Sequence, residues 1–171
     1  MQSVFVNHAD YKIRSQKLGQ GPFGDVYLAE RIKDNKKFAA KLFNFQKSFD
    51  GSQQMLFLQK SLILNKLHHP ALVKLIGINL QSSSDPKILQ PTIITEYFGR
   101  GSLKDNLNKE TIWTPTTKCI NILGIISALR YLYEQGISHG NLKPNNIMID
   151  DNNYPHICDY CLCNCFPDSL T

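Results

Sequence analysis

The chain has 171 residues, a hydrophobic fraction of 42%, 19% charged residues and a formal net charge of +5. This length and composition suit a medium globular domain with a core of its own and exclude an intrinsically disordered chain. The positive excess is spread without a Lys/Arg run, which argues against nucleic acid as a partner.

Residues 1–10 lack the basic-then-apolar order of a secretion signal. The longest apolar stretch, 120–132, is broken by Asn121, Ser127 and Arg130 and is too short for a bilayer. Four of the five cysteines lie between Cys158 and Cys165. Without a secretory signal they are expected as reduced thiols in a cytoplasmic protein.

Tyr11 to Gly19 reads as a strand that runs into a glycine turn, and Gly24 to Ile32 as the strand that returns. Asp34-Asn35 is a turn signal, and Phe38 to Phe45 reads as a third strand. The period changes over Ser52 to Leu67, where Met55, Leu58, Leu62 and Leu64 are spaced as a helix face and Ser52 is its expected cap. His69-Pro70 ends that helix, because a residue before proline is pushed out of the helical region. Leu72 to Ile78 and Ile88 to Thr95 read as two more strands around a polar loop. Gly99-Arg100-Gly101 is the expected lobe boundary.

The second half opens with Thr114 as cap and Pro115 at the first helical position. Ile120, Leu123, Ile126, Leu129, Leu132 and Tyr133 form a wide apolar stripe, with Gly136 placed as a C-terminal cap. Short strands and turns follow. Strands, a helix, strands, then a helix and loops make an α+β fold.

Five segments carry chemistry. Gly19-Gln20-Gly21-Pro22-Phe23-Gly24-Asp25-Val26 follows the pattern G-x-G-x-x-G-x-V, in which bare backbone can approach phosphates. It lies between two strands, which argues against a dinucleotide-binding βα turn. Ala39-Ala40-Lys41 follows on the third strand. Ile94-Thr95-Glu96-Tyr97-Phe98 precedes Gly101-Ser102-Leu103. His139-Gly140-Asn141-Leu142-Lys143-Pro144-Asn145-Asn146 parallels H-R-D-L-x-x-x-N. Ile157-Cys158-Asp159-Tyr160-Cys161 parallels the surroundings of D-F-G.

In this order, from Tyr11 to about Asn164, the segments resemble the eukaryotic protein kinase family, and most closely its tyrosine-kinase-like branch. The resemblance implies a five-stranded antiparallel N-lobe with one helix, over residues 1–98. It implies the beginning of a mainly helical C-lobe over residues 99–171. It places ATP among Leu18, Gly19, Gly21, Gly24, Val26, Ala39, Lys41, Glu96, Phe98 and Met148. Thr95 takes the gatekeeper position, and the backbone of Glu96 and Phe98 the adenine edge. Asn146 and Asp159 become Mg²⁺ ligands, and Lys143 accompanies the catalytic position. Leu64, Leu75, His139 and Tyr160 match the family's spine. Asp105 either reaches a ribose hydroxyl or begins a helix.

Four departures point to a pseudokinase. Asn141 stands where the family carries the Asp that accepts the substrate proton, and an amide is no useful base. Lys60 stands where the helix Glu pairs with the strand Lys. Gly140 replaces an Arg. The chain stops twelve residues after Asp159, so the expectation is a truncated domain whose exposed C-lobe attracts a protein partner. Cys158 and Cys161 form one zinc half-site without a second, so exposed thiols outweigh a metal centre. His68 and His69 are expected to end a helix and pack, and Trp113 to anchor the core. Two other functions compete with a nucleotide-binding pseudokinase. One is an active serine/threonine kinase in a longer form, which activity lost in Lys41→Ala would reveal. The other is an interaction module without ATP, which a nucleotide-binding assay would separate.

Overall fold

In a computed structural model of the chain, the described residues are 4–21, 24–43, 51–81, 89–109 and 113–160. They fall into two compact units, one drawn from Met1–Lys66 and Lys74–Tyr97 and the other from Leu67–Val73 and Phe98–Asn164.

The first unit contains β1 (Tyr11–Gly21), β2 (Gly24–Arg31), β3 (Lys37–Phe43), α1 (Gly51–Lys66), β4 (Leu75–Gln81) and β5 (Leu89–Glu96). The five strands form one antiparallel sheet in the order β1-β2-β3-β5-β4. The Asp34-Asn35 turn forms as expected: Asp34 accepts the Lys36 amide at 3.2 Å and Asn35 takes φ 56°. Strand alternation sends Tyr11, Ala29, Phe38, Ala40 and Ile94 into one core cluster. Phe43 lies on the other side of β3 and meets Phe57 of α1 edge-to-face at 5.3 Å. Residues 4–6 add to β4 in parallel, with Val6 N–H donating to Ile78 O and Ile78 N–H to Val4 O, both at 2.9 Å.

Two expectations for α1 are corrected. Ser52 lies inside the helix and is not its cap. The buried face is Phe57, Ser61 and Leu64, whereas Met55 and Leu62 are exposed. The helix is apolar on more than one side, and the ring of Phe43 selects the side that carries Phe57. A third correction concerns residues 72–74, read as the start of a strand that in fact begins at Leu75. Ala71 O accepts Ile157 N–H and Val73 N–H donates to Ile157 O, both at 2.9 Å, so these groups are committed to the second unit.

The second unit contains α2 (Leu103–Asn106), α3 (Pro115–Glu134) and the hairpin β6 (Ile147–Ile149) with β7 (Pro155–Ile157). Thr114 caps α3 by accepting the Thr117 amide at 3.1 Å, with Pro115 at the first helical position. At its other end Gly136 N–H donates to Tyr133 O and Ile137 N–H to Leu132 O, both at 2.9 Å, which is a Schellman closure. Of the expected apolar stripe, Leu132 is buried and Leu129 half-buried, while Ile120, Leu123, Ile126 and Tyr133 are exposed, the open apolar surface expected of this lobe; Asn121 and Ala128 complete the buried face. Close approach, not apolarity, chooses this face. Asn121 Nδ2 donates to Asn153 O at 2.8 Å, and a Cβ at position 124 would lie 2.8 Å from Pro155 Cγ. No helix among the described residues is long and apolar enough to cross a membrane.

His69 packs as expected, whereas His68 is exposed and its backbone N–H donates to the Tyr131 hydroxyl at 3.0 Å. The His69 ring stacks on Tyr131 at 5.3 Å, and its Nδ1 accepts the Ala71 amide at 3.1 Å. Trp113 is half-buried, and it anchors through a hydrogen bond: its Nε1–H donates to Asn106 O at 2.6 Å.

Candidate functional site

In the first unit the sheet register assembles one set of candidates. Gly19 faces Val26, Val26 faces Lys41, and Leu28 faces Ala39. Cross-strand partners share a face, so Val26, Ala39 and Lys41 lie together on the side of β3 that also carries Phe43. Pro22 and Phe23 lie outside the described residues. The glycines beside them divide by role. Gly24 has φ 147°, and a Cβ there would collide with the carbonyl of Leu42, so the close pairing of β2 with β3 requires glycine. Among the described residues, a Cβ at Gly19 would meet nothing within 4 Å, and one at Gly21 would touch Gly24 O at 3.7 Å. Those two positions therefore border open space. Leu18 beside them is exposed.

Lys41 is buried, with Nζ 5.6 Å from the centroid of the Phe43 ring, within reach of a cation–π attraction. α1 carries no acidic residue, and Lys60 lies half-buried on it between Phe57 and Ser61 on one side and exposed Gln59 on the other. The side chain of Glu96 is tied to the residue before β4: its carboxylate accepts the Lys74 amide at 2.7 Å, and its own N–H donates to Lys74 O at 3.2 Å. Thr95 donates its hydroxyl to Glu96 O at 3.3 Å.

In the second unit, Met148 on β6 pairs with His156, whose ring lies 4.6 Å from that of Phe98. Asp105 begins a helix: its carboxylate accepts Ser102 N–H at 2.9 Å and the Ser102 hydroxyl at 2.6 Å. These two bonds hold its pKa below the usual carboxylate value.

The segment 139–146 is built around buried His139. Asn141 N–H donates to its Nδ1 at 3.2 Å, which leaves Nε2 to carry the proton and donate to Cys158 O at 3.1 Å. The ring is neutral in this arrangement, and burial lowers its pKa further from the ordinary value. Gly140 takes φ 72°, a conformation that costs a side-chain-bearing residue strain and glycine none. Asn146 is buried, and its Nδ2 donates to Asn141 O at 2.8 Å. Its backbone carbonyl accepts Cys158 N–H at 2.9 Å. Lys143 is exposed and Asn141 half-buried.

Asp159 takes φ 60°. Such a conformation costs a residue with a Cβ on the order of 1–3 kcal/mol and persists where the surroundings over-determine it. Tyr160 is buried, and its hydroxyl donates to Val73 O at 2.9 Å. Of the expected spine residues, Leu64, His139 and Tyr160 are buried and Leu75 is half-buried.

The Asn146 amide spends its nitrogen on the loop and keeps Oδ1 as an oxygen acceptor. That oxygen and the Asp159 carboxylate are both hard donors of the kind that would suit Mg²⁺, an ion that takes few protein ligands and keeps waters or phosphate oxygens. No group of three or more His, Cys, Asp or Glu side chains suited to a metal occurs among the described residues. Cys161, Cys163 and Cys165 lie outside them, and Cys158 is half-buried.

Two features escaped the sequence reading. Asn106 is fully buried and donates to the carbonyls of Arg100 and Ser102, at 2.8 and 2.7 Å. The Tyr160 hydroxyl bond joins residues 87 positions apart. A buried tyrosine needs a partner, and that rule was the available signal.

The protein kinase domain family matches residues 12–170. A LEAF RUST 10 disease-resistance locus receptor-like protein kinase-like 1.2 of Arabidopsis thaliana is 33% identical over 163 residues, covering 92% of this chain and 23% of the relative. The cAMP-dependent protein kinase catalytic subunit of Dictyostelium discoideum is 31% identical, covering 84% and 21% respectively. The human serine/threonine-protein kinase 32B is 28% identical, covering 84% and 33%. The chain thus spans a fifth to a third of the length of these relatives. The match over residues 12–170, on a chain that folds a five-stranded antiparallel sheet with one helix, places it in the protein kinase family.

Proposed function

We propose that this chain is a protein kinase domain of the tyrosine-kinase-like branch that binds Mg²⁺-ATP and does not transfer phosphate. One observation carries the reading. The 139–146 loop keeps its internal bonds, His139 to Asn141 and Asn146 to Asn141, around a residue that has an amide in place of a carboxylate. A loop that only decayed has no reason to keep the scaffold and lose the base.

Bound ATP supplies a transferable phosphoryl group, and the chain's own residues bind and orient it. Gly19 and Gly21 offer backbone to phosphates, Lys41 offers a cation, and Val26, Ala39 and Met148 offer apolar surface for adenine. The backbone of Glu96 and Phe98 offers the adenine edge. Asn146 and Asp159 hold the metal. Asn141 can accept a hydrogen bond from a hydroxyl but cannot keep its proton at neutral pH. Lys60 offers no counter-charge to Lys41.

The test has two arms. A ligand at roughly a hundred times its Kd stabilises the native chain by about 2.7 kcal/mol. Mg²⁺-ATP should therefore raise the melting temperature, and Lys41→Ala and Asp159→Ala should each shrink the rise. Radiolabel transfer to protein substrates should stay at background. Transfer abolished by Lys41→Ala would make the chain an active kinase. No thermal shift at millimolar Mg²⁺-ATP would favour an interaction module, a reading supported by the exposed Leu123, Ile126 and Tyr133 on α3.

A further inference from the structure

The bonds around Asp159 form a clamp that is anchored on both sides of it. Upstream, Ile157 exchanges hydrogen bonds with Ala71 and Val73, Cys158 N–H donates to Asn146 O, and Cys158 O accepts from His139. Downstream stands the Tyr160 hydroxyl, which donates to Val73 O at 2.9 Å. Val73 is thus held twice by the same segment, through its N–H by Ile157 O and through its carbonyl by Tyr160. Asp159 sits between the two anchors with φ 60°. A phenylalanine at position 160 would fill the same space and could not make the downstream bond.

We infer that the Tyr160 hydroxyl is a latch, a positioning group that holds Asp159 in its left-handed backbone conformation by fastening the residue after it to Val73. Three points support the inference. Val73 is 5% and Tyr160 4% exposed, so the Val73 carbonyl has little solvent to turn to if the hydroxyl is removed. The conformation of Asp159 is one that a residue with a Cβ keeps only under constraint. The upstream anchors fix the chain before Asp159 and leave its φ to be set from the downstream side. In consequence, the Tyr160 hydroxyl bears on the direction in which the Asp159 carboxylate points. This last step rests on the proposed Mg²⁺-nucleotide reading; the latch itself does not.

The experiment compares Tyr160→Phe with the wild-type chain by NMR and by nucleotide binding. In the variant, the Cα and Cβ shifts of Asp159 should move away from left-handed values, and the Cys158 amide should exchange about five-fold faster, the loss expected for one buried hydrogen bond. Binding of Mg²⁺-nucleotide should weaken by a similar factor while metal-free nucleotide binds unchanged, a split that general destabilisation would not produce. Unchanged Asp159 shifts and unchanged Cys158 exchange overturn the latch. If neither protein binds nucleotide, the functional reading fails and the NMR comparison still decides the latch. Should the variant not fold, the wild-type chain decides it. A slowly exchanging Tyr160 hydroxyl proton with an Overhauser contact to the Val73 α-proton supports the latch, and a hydroxyl in fast exchange with water overturns it.

Discussion

Ser61→Ala should make the protein more stable. Ser61 is fully buried on the face of α1 that carries Phe57 and Leu64, and its Oγ has no hydrogen-bond partner among the described residues. A buried, unsatisfied hydroxyl costs about 1–3 kcal/mol. Alanine is also the better helix former, by up to about 0.7 kcal/mol. Removing one oxygen leaves too small a gap to cancel these gains, so the expected change is about +1 to +3 kcal/mol. For a chain of this length that raises the melting temperature by roughly 3–10 °C. Denaturant unfolding should move its midpoint and keep its slope, because the exposed surface is unchanged. Phe57→Ala is the control, with a loss of about 3–5 kcal/mol, whereas Leu62→Ala on the exposed face should cost much less. A destabilised Ser61→Ala would mean that the hydroxyl has a partner, such as the Phe57 carbonyl one turn back. Equal losses at Phe57 and Leu62 would mean that α1 presents another face.

Three further outcomes are expected. Gly24→Ala should cost on the order of 3 kcal/mol through its collision with the Leu42 carbonyl, with faster amide exchange along β2 and β3 as the readout. Burial lowers the pKa values of His8, His69 and His139. The unfolded chain then binds more protons than the native one once the pH falls below about 6.5, and stability drops on acidification by at most about 1.4 kcal/mol per pH unit per fully protected group. A stability profile flat from pH 7.5 to 5.5 would refute this. Asn141→Asp alone should leave phosphoryl transfer at background, because groups that act as a unit are not restored singly; a labelled product from that variant would contradict it.

The sheet was legible in the sequence because strands alternate and turns carry their own residues. Asp34-Asn35, Thr114-Pro115 and Gly136 mark boundaries by local chemistry, and all three lie where that chemistry put them. The faces of the helices were not legible. On α1, apolar residues from Leu56 to Leu64 leave several sides eligible, and the choice rests with Phe43, a residue of another strand. On α3 the choice falls to Asn121, Gly124 and Ala128, since the 150–155 turn needs a close approach more than apolar surface. In the candidate site, the loop around His139 could be read from its residue types. The Tyr160 bond to Val73 could not, because nothing local announces a partner 87 positions upstream.

The pairing of residues 4–6 with β4 bears on how this sheet behaves in a concentrated solution. A sheet in the order β1-β2-β3-β5-β4 has two rims, and a bare rim invites strand addition from other molecules, the first step toward aggregates. At the β4 rim the chain supplies its own added strand, and Gly77 admits it where a Cβ would strike Val6. At the β1 rim no such cover occurs among the described residues. Instead Lys12, Arg14 and Lys17 set charge along the strand, and two register shifts, after Ile13 and after Lys17, break the straight run of donors and acceptors. One rim is closed by the chain's own backbone and the other is guarded by charge and irregularity, so the sheet resists templating its own kind at both ends.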